Sequence, residues 1–355
     1  MSRQTLGEAC SRLSSGKSIP SDKVLDKGLY PVIGGNGWRG FTNSCNFEGR
    51  CAVIGRQGAA CGNVHYFSGK AYMTEHAVVA CAANGNDSHY LAYLLSTMNL
   101  GRLSGQSAQP GLSVRTLSKQ LIDLPSLKKQ RQVVELLGSL DEKIEVNART
   151  NGYLAETCDV LYSSYTTGEQ AADWPMGTLK DLLEIRYGKD HKQLNDGDVP
   201  VYGSGGYMRS VERFLFNGES VLIPRKGSLN NVMYVSEKFW TVDTMFYAVP
   251  IIPNAAKYAY QFIKRLDLAS MNSGSAVPSM TTKILNALPV PIPPKESLCD
   301  FDGQLQPYYS KIRANTIENE WLAALRDALL PKLMSGEIDV SEVDLTRPNS
   351  HLYDY

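Results

Sequence analysis

The sequence predicts an α+β chain of two similar β-rich α/β domains. Each is followed by a long helix, and the two helices pair as an antiparallel coiled coil about a pseudo-two-fold axis. Three observations lead to this fold class. The chain repeats itself, each half changes from a Gly-rich, β-branched segment to a charged segment with helical periodicity, and both changes occur at proline.

The repeat is clearest in the helical segments, where the same spaced pattern of Ile, Asn, Asn and Leu occurs twice. The copies are Ile144, Asn147, Asn151 and Leu154, then Ile312, Asn315, Asn319 and Leu322. Each pair is 168 residues apart, and so are Ser107 and Ser275. Closer to the start of each half the offset drifts, as changes in loop length would produce, so that Arg56 matches Arg225. Two homologous halves therefore explain the chain better than one long domain.

The changes in composition set the predicted boundaries. The first β-rich domain covers residues 1–126 and the first helix 127–169, the second domain covers 170–294 and the second helix 295–338, and 339–355 is a tail. The first boundary lies at Pro125, and the second lies in a proline run that ends at Pro294. Proline lacks an amide hydrogen and has a fixed φ, so it ends strands and permits a helix to begin.

Both helical segments carry the seam of a coiled coil, with core positions that step by four and three residues. In the first segment these positions are Val133, Leu137, Leu140, Ile144, Asn147, Asn151, Leu154, Cys158 and Leu161. A seam asparagine weakens packing but fixes the register, because only one alignment satisfies its amide. An antiparallel pairing would place Asn147 opposite Asn319 and Asn151 opposite Asn315. The alternative is that each amphipathic helix packs separately on its own domain.

Composition excludes several classes of function. The 36 Lys and Arg residues balance 36 Asp and Glu residues, so any nucleic-acid site must be a local patch. No run approaches the roughly 20 apolar residues of a bilayer span, and the polar start lacks a signal-peptide core, which favours a cytoplasmic protein without membrane contact. The chain contains no nucleophile elbow, Rossmann fingerprint or amino-methyltransferase tetrad, and Cys61 and His65 lack a second ligand pair. We therefore expect no catalytic residue, metal site or cofactor.

A Gly-rich turn with an aromatic residue recurs in both halves, and a short strand ending in Arg-x-Gly follows it. The first copy occupies residues 34–39 and 56–58, and the second occupies 203–209 and 225–227. Glycine permits close approach of the backbone, and arginine can donate two hydrogen bonds to a guanine edge or a phosphate. The alternative interpretation is a hairpin turn with a solvated basic residue.

This pattern resembles the specificity subunit of type I restriction-modification systems. The resemblance spans essentially the whole chain and is most specific in residues 137–147 and 312–322, and in Trp174, Thr178 and Asp181 at the start of the second half. It implies two target-recognition domains that each bind one half of a bipartite double-stranded DNA sequence, for DNA methylation and phage defence. The coiled coil would fix their spacing and dock two methyltransferase (M) subunits.

The resemblance also implies restriction-translocation (R) subunits. S-adenosylmethionine, ATP and Mg would then be used by these partners, and catalysis would belong to them. Two alternatives are a duplicated protein-binding scaffold without direct DNA readout, and a single-chain enzyme of unrecognised type that would be active without partners.

Candidate DNA-binding residues follow from the recurring turn, the Arg-x-Gly strand end and a Gly-Lys pair that precedes each turn. In the first domain they are Lys17, Asn36, Trp38, Arg39, Arg56 and Gln57. In the second they are Lys189, Ser204, Tyr207, Arg209, Arg225 and Lys226. Arg56 and Arg225 are the leading candidates, and Arg115 and Lys283 are reserves.

Overall fold

The computed structural model describes residues 2–83, 85–104, 111–271 and 279–340. The repeated segments around Ser107 and Ser275, and all but the first two residues of the predicted tail 339–355, lie outside this part of the chain. The chain divides into two compact units. Unit 1 is Met1–Asn147 with Ile317–Tyr355, and unit 2 is Ala148–Thr316.

Unit 1 is built mainly from strands. They are β1 (Ser2–Thr5), β2 (Cys10–Ser15), β3 (Tyr30–Gly34), β4 (Gly37–Thr42), β5 (Phe47–Gly55), β6 (Val64–Met73), β7 (Ala77–Ala82) and β8 (Leu121–Leu124). The helices are α1 (Leu6–Ala9), α2 (Ser88–Ser96), α3 (Val114–Ser118) and α4 (Leu127–Thr167), the last of which continues into unit 2. Six strands form one sheet in the order β2-β7-β5-β6-β3-β4, and β1 pairs with β8.

Unit 2 repeats this arrangement. Its strands are β9 (Met176–Thr178), β10 (Leu183–Tyr187), β11 (Asp196–Gly203), β12 (Gly206–Val211), β13 (Phe216–Pro224), β14 (Met233–Thr241), β15 (Met245–Pro250) and β16 (Pro289–Pro291). Its helices are α5 (Leu179–Leu182), α6 (Ala255–Ile263), α7 (Thr282–Asn286) and the start of α8 (Lys295–Ser335), which continues into unit 1. The sheet order is β10-β15-β13-β14-β11-β12, so every strand occupies the place of its counterpart in unit 1.

Each of the two sheets contains one parallel pair of neighbouring strands. Strands β3 and β6 pair in parallel, as do β11 and β14, whereas the other pairs in both sheets are antiparallel. Central strand β5 has a fully buried run, residues 51–54, which matches the run of apolar residues expected of a strand covered on both faces. The prediction of two similar β-rich domains is therefore confirmed.

The same capped one-turn helix precedes the six-stranded sheet in each unit. A threonine caps a one-turn helix, with Thr5 paired to Glu8 in α1 and Thr178 paired to Asp181 in α5, each in a capping box. The hydrogen bond from the backbone amide of Thr5 is the main cause that lowers the pKa of Glu8, and the Thr178 amide does the same for Asp181. The sequence repeat of Thr-Leu thus corresponds to a repeated local structure.

Helices α4 and α8 each contain 41 residues and form an antiparallel pair. In unit 1 the side-chain amide of Asn147 donates to the Asn319 carbonyl oxygen at 2.9 Å, and in unit 2 Asn315 donates to Asn151 at 2.8 Å. Every predicted seam position of α4 is buried or half-buried. The predicted pairing of asparagines is confirmed, and the alternative of two separately packed helices is wrong.

In the described ranges, no helix is long and apolar enough to cross a bilayer.

Candidate nucleic-acid interface

In each unit, four chain segments meet at the end of the six-stranded sheet. We name this region the loop edge. In unit 1 it consists of residues 15–17, 34–38, 55–57 and 73–77, where β2, β3, β5 and β6 end and β4 and β7 begin. In unit 2 it consists of residues 187–189, 203–207, 224–227 and 241–245. The predicted turns and Arg-x-Gly strand ends therefore lie together, although they are far apart in sequence.

Backbone hydrogen bonds hold the loop edge of unit 1 together. The amide of Lys17 donates to the carbonyl of Met73 at 2.9 Å, and the amide of Arg56 donates to the carbonyl of His76 at 3.1 Å. The amide of Thr74 donates to Ile33 at 2.9 Å. The β6–β7 turn is thus fixed on three sides, and two of the predicted DNA-binding residues are attached to it.

Unit 2 has the same hydrogen bonds at matching positions. The amide of Lys189 donates to Thr241 at 2.9 Å, and the amide of Arg225 donates to Thr244 at 2.8 Å. The amide of Val242 donates to Tyr202 at 3.1 Å. The repeated chemistry of the two loop edges is therefore built on a repeated backbone.

Glycine is required where the Gly-Lys segment passes the β6–β7 turn in unit 1 and the equivalent β14–β15 turn in unit 2. A Cβ atom at Gly16 would lie 2.2 Å from the Met73 carbonyl oxygen, and one at Gly188 would lie 2.0 Å from that of Val242. Both distances are far below van der Waals contact, so neither position accepts a side chain without moving the backbone. These glycines place Lys17 and Lys189 at the loop edge.

The two aromatic candidates occupy equivalent positions. Trp38 pairs with Ile33 across the β3–β4 hairpin, and Tyr207 pairs with Tyr202 across the β11–β12 hairpin. Trp38 is 62% exposed and Tyr207 is 61% exposed. Large apolar side chains with this exposure, beside basic residues, are available for contact with sugars or bases.

Arg56 and Arg225 are held in place while part of their donor capacity stays unused. The Nη1 of Arg56 donates to the Ser15 hydroxyl at 3.0 Å, while its Nε is buried and has no hydrogen-bond partner among the described residues. In unit 2 the Arg225 guanidinium lies 5.3 Å from the ring centre of Tyr187, and its Nη1 donates to the Asp243 carbonyl at 3.4 Å. Such positioning lowers the entropy lost when a guanidinium binds a base or phosphate.

The remaining candidates are mostly solvent-facing. The exposed ones are Lys17, Asn36, Arg39, Gln57, Lys189 and Lys226. Gln57 forms an isolated bridge with Gly111, and Lys226 forms the matching bridge with Ser279. The reserve residues Arg115 and Lys283 lie in α3 and α7, the short helices that follow these bridges.

Two candidates in the β11–β12 hairpin are engaged within the protein. The sequence pattern predicted that Arg209 is the counterpart of Arg39. In the structure the counterpart of Arg39 is Met208, because Arg39 packs against Gly34 and Met208 packs against the equivalent Gly203. Arg209 instead donates to the Leu194 carbonyl at 2.5 Å and lies 3.5 Å from the Asp196 carboxylate. Half-buried Ser204 accepts a hydrogen bond at its carbonyl from Asn231 at 2.8 Å. DNA contact by both residues stays a prediction.

Sequence reasoning missed the β6–β7 turn itself. Two polar atoms of the turn, Thr74 Oγ1 and Glu75 Oε2, are buried without a hydrogen-bond partner in the described chain. The Nε of the adjoining Arg56 is a third such atom. Buried polar atoms without partners are rare in folded proteins, and a bound water, an ion or a ligand can pair with them. A signal was present, because Glu75 and Asp243 are acids separated by the repeat offset. Metal binding has no support here, since the described residues contain no group of three or more metal-ligating side chains.

Comparison with known protein families decides the identity of the repeat. The family of type I restriction modification DNA specificity domains matches residues 4–154 and, a second time, residues 171–306. The two matches together cover well over half of the chain and coincide with the two sheets. The chain belongs to this family.

Individual members of the specificity-domain family support the assignment. The EcoprrI specificity subunit of Escherichia coli is 36% identical over 143 residues, which cover 39% of this chain and 35% of that subunit. This chain therefore aligns with about a third of that relative's length. The MjaIX specificity subunit of Methanocaldococcus jannaschii is 24% identical over 307 residues, covering 73% of this chain and 71% of the relative.

The fold of this specificity-domain protein also has a solved counterpart. The S subunit of a type I restriction-modification system from M. genitalium superimposes with a TM-score of 0.66 over 94% of this chain and 95% of that chain. The two sequences are 18% identical. The likeness confirms the predicted fold of two β-rich domains with two long helices.

Proposed function

We propose that this chain is the non-catalytic DNA-recognition subunit of a cytoplasmic type I restriction-modification complex. Each loop edge would bind one half of a bipartite target in double-stranded DNA. The observation that carries the proposal is the duplicated loop edge, which presents basic and aromatic side chains on the same backbone in both units. Because the side chains differ at matched positions, such as Trp38 and Tyr207, the two half-sites would differ in sequence.

The helices suit the remaining part of this role. Helices α4 and α8 each contribute residues to both units, and their register is fixed by the two asparagine pairs. We infer that they set the spacing between the half-sites and dock two methyltransferase subunits. Repeat-equivalent aromatic residues support two docking positions: Tyr153 is 63% exposed on α4 and Trp321 is 74% exposed on α8. Restriction-translocation subunits would join this complex, and S-adenosylmethionine, ATP and Mg would be bound by the partners.

The test is to produce the chain together with its methyltransferase subunits and to sequence the methylated DNA sites. We expect one bipartite target. Arg56→Ala should then relax specificity within one half-site and Arg225→Ala within the other, each by about 1 to 3 kcal/mol if the side chain reads a guanine. Arg3→Ala, in the separate β1–β8 ribbon, is the matched control and should leave specificity unchanged.

Two outcomes have different meanings. An equal loss of binding to all DNA sequences would assign Arg56 and Arg225 to phosphate contacts. If the chain binds the methyltransferase subunits but the complex shows no sequence preference, the alternative of a protein-binding scaffold without DNA readout is correct and the proposed function fails.

A further inference from the structure

We propose that Glu75 and Asp243 are specificity-determining residues, and that each accepts a hydrogen bond from the exocyclic amino group of a cytosine in its half-site. The inference rests on the proposed DNA-recognition function. Both acids lie in the turn that joins the sixth and seventh strands of the respective domain, at the centre of the loop edge. None of the recurring basic and aromatic motifs includes them.

The turn that carries Glu75 is hydrogen-bonded to the backbone of two basic candidates. Two residues of the turn accept backbone hydrogen bonds: Met73, two residues before Glu75, from Lys17 at 2.9 Å, and His76, directly after it, from Arg56 at 3.1 Å. The turn therefore cannot move independently of these two basic residues. DNA that both basic residues contact would therefore lie near the turn that carries Glu75.

The acid recurs although its neighbours do not. Glu75 lies between Thr74 and His76, whereas Asp243 lies between Val242 and Thr244. In unit 2 the backbone of the acid is also tied to the basic candidate, since the Asp243 carbonyl accepts from Arg225 Nη1 at 3.4 Å. Two domains with different side chains around this turn thus retain a carboxylate at the same point of a shared backbone.

The chemistry of Glu75 points to a donor on the ligand. Its side chain is 39% exposed, its Oε1 lies 3.3 Å from His76 Nε2, and its Oε2 is covered and has no hydrogen-bond partner in the described residues. Thr74 beside it is 0% exposed, and its Oγ1 also has no partner within that part of the chain. Buried polar atoms of this kind are costly unless a ligand or another group pairs with them. An ionised carboxylate has only acceptor capacity, so the matching group must donate.

Repulsion restricts which DNA group this can be. A carboxylate near phosphates is unfavourable, so it serves affinity poorly and specificity well. In the major groove the base donors are the amino groups of cytosine and adenine. Adenine N7 is an acceptor beside its amino group and would repel a carboxylate oxygen, which leaves cytosine as the preferred base. Arg56 and Arg225 would then bind guanine in the same or a neighbouring base pair.

The experiment uses the complex of the full chain with its methyltransferase subunits and the target sequence that this complex methylates. Binding is measured to duplexes in which each base pair of that target is replaced in turn. The wild-type complex should prefer a C·G pair at one position per half-site by roughly 5- to 100-fold. Glu75→Gln should reduce this preference to about twofold in one half-site, and Asp243→Asn should do so in the other only.

Glu48→Gln is the matched control, because it removes the same charge from strand β5 at the end remote from the loop edge. It should leave every preference unchanged. A uniform rise in affinity of the Glu75→Gln complex for all duplexes would show that the acid only repels phosphate, and unchanged preferences would show that it makes no base contact. Either result overturns the inference while the proposed function stands, whereas a wild-type complex without sequence preference refutes the proposed function itself.

Discussion

His89 in unit 1 lies between two tyrosine rings. The imidazole stacks on Tyr66 with ring centres 3.8 Å apart and on Tyr93 with ring centres 4.6 Å apart. The Tyr93 hydroxyl donates to the Asp141 carboxylate, which also accepts from Arg326 Nη1 at 2.7 Å. The stack thus links α2 to both long helices within unit 1. The sequence did not predict this stack, because Tyr66 and His89 lie in different elements and only the fold brings their rings together.

The stack makes the stability of unit 1 depend on pH. Burial is the main cause that lowers the pKa of His89 below its ordinary 6.5, against the opposing effect of the Asp87 carboxylate. The unfolded chain therefore binds a proton more readily, so this stabilisation is complete above about pH 6.5 and is lost as the pH falls. We expect the free energy of unfolding of unit 1 to decrease from pH 7.5 to pH 5.5 in chemical denaturation. His89→Phe keeps an aromatic ring and should flatten this dependence; an unchanged slope would contradict the assignment.

At the scale of elements, the asparagine pairs explain why α4 and α8 adopt one register. In unit 1, Asn147 is 3% exposed and donates to Asn319 at 2.9 Å and to Glu318 at 2.8 Å. Asn319 in turn donates to the Ile144 carbonyl at 3.2 Å. A shift of either helix would leave these buried groups without partners, which costs more than the hydrogen bonds contribute. The heptad pattern of the sequence therefore predicted the pairing of these residues.

The high cost of an unpaired buried amide predicts the result of a double-mutant cycle. Asn147→Leu should destabilise unit 1 by about 1 to 3 kcal/mol, because Asn319 loses its amide partner in a buried layer. Adding Asn319→Leu should recover most of this loss, since two leucines can pack in the seam. Chemical denaturation of the wild type, both single variants and the double variant measures the coupling. Additive losses would show that the two amides do not act as a pair.

The loop edges could be predicted only in part at this scale. The motifs identified the Gly-Lys segment, the hairpin and the Arg-x-Gly strand end of each domain, and all three reach the loop edge. Their contact with the β6–β7 turn depends on strand order, including the parallel pairing of Ile33 with Met73. Strand order depends on contacts between distant segments, which local periodicity does not encode. For the same reason the sequence did not show that Arg209 binds Leu194 instead of facing solvent beside Tyr207.

At the scale of the whole molecule, the balance of charge limits what the chain does alone. Its 36 basic and 36 acidic residues give a formal net charge of +0. Contacts between basic side chains and phosphates supply much of the affinity of DNA-binding proteins. A chain without net positive charge offers few such contacts outside its loop edges. Partner subunits would then provide part of the phosphate-binding charge.

We therefore expect the purified chain to bind its target weakly and with strong dependence on salt, and the complex with methyltransferase subunits to bind far more tightly. Titration of labelled target DNA at several salt concentrations measures both affinities and their slopes. Tight binding by the isolated chain at about 0.15 M salt would contradict this expectation.

The sequence by itself determined the duplication, the two long helices and their register, because a repeat offset and a heptad seam are local patterns that any fold must respect. The tertiary structure decided which side chains share a loop edge. The turn that carries Glu75 is joined to Arg56 and Lys17 only because separate strands end at the same place in the sheet. Such proximity comes from the packing and pairing of segments far apart in the chain, and these long-range contacts leave no periodic trace in the sequence.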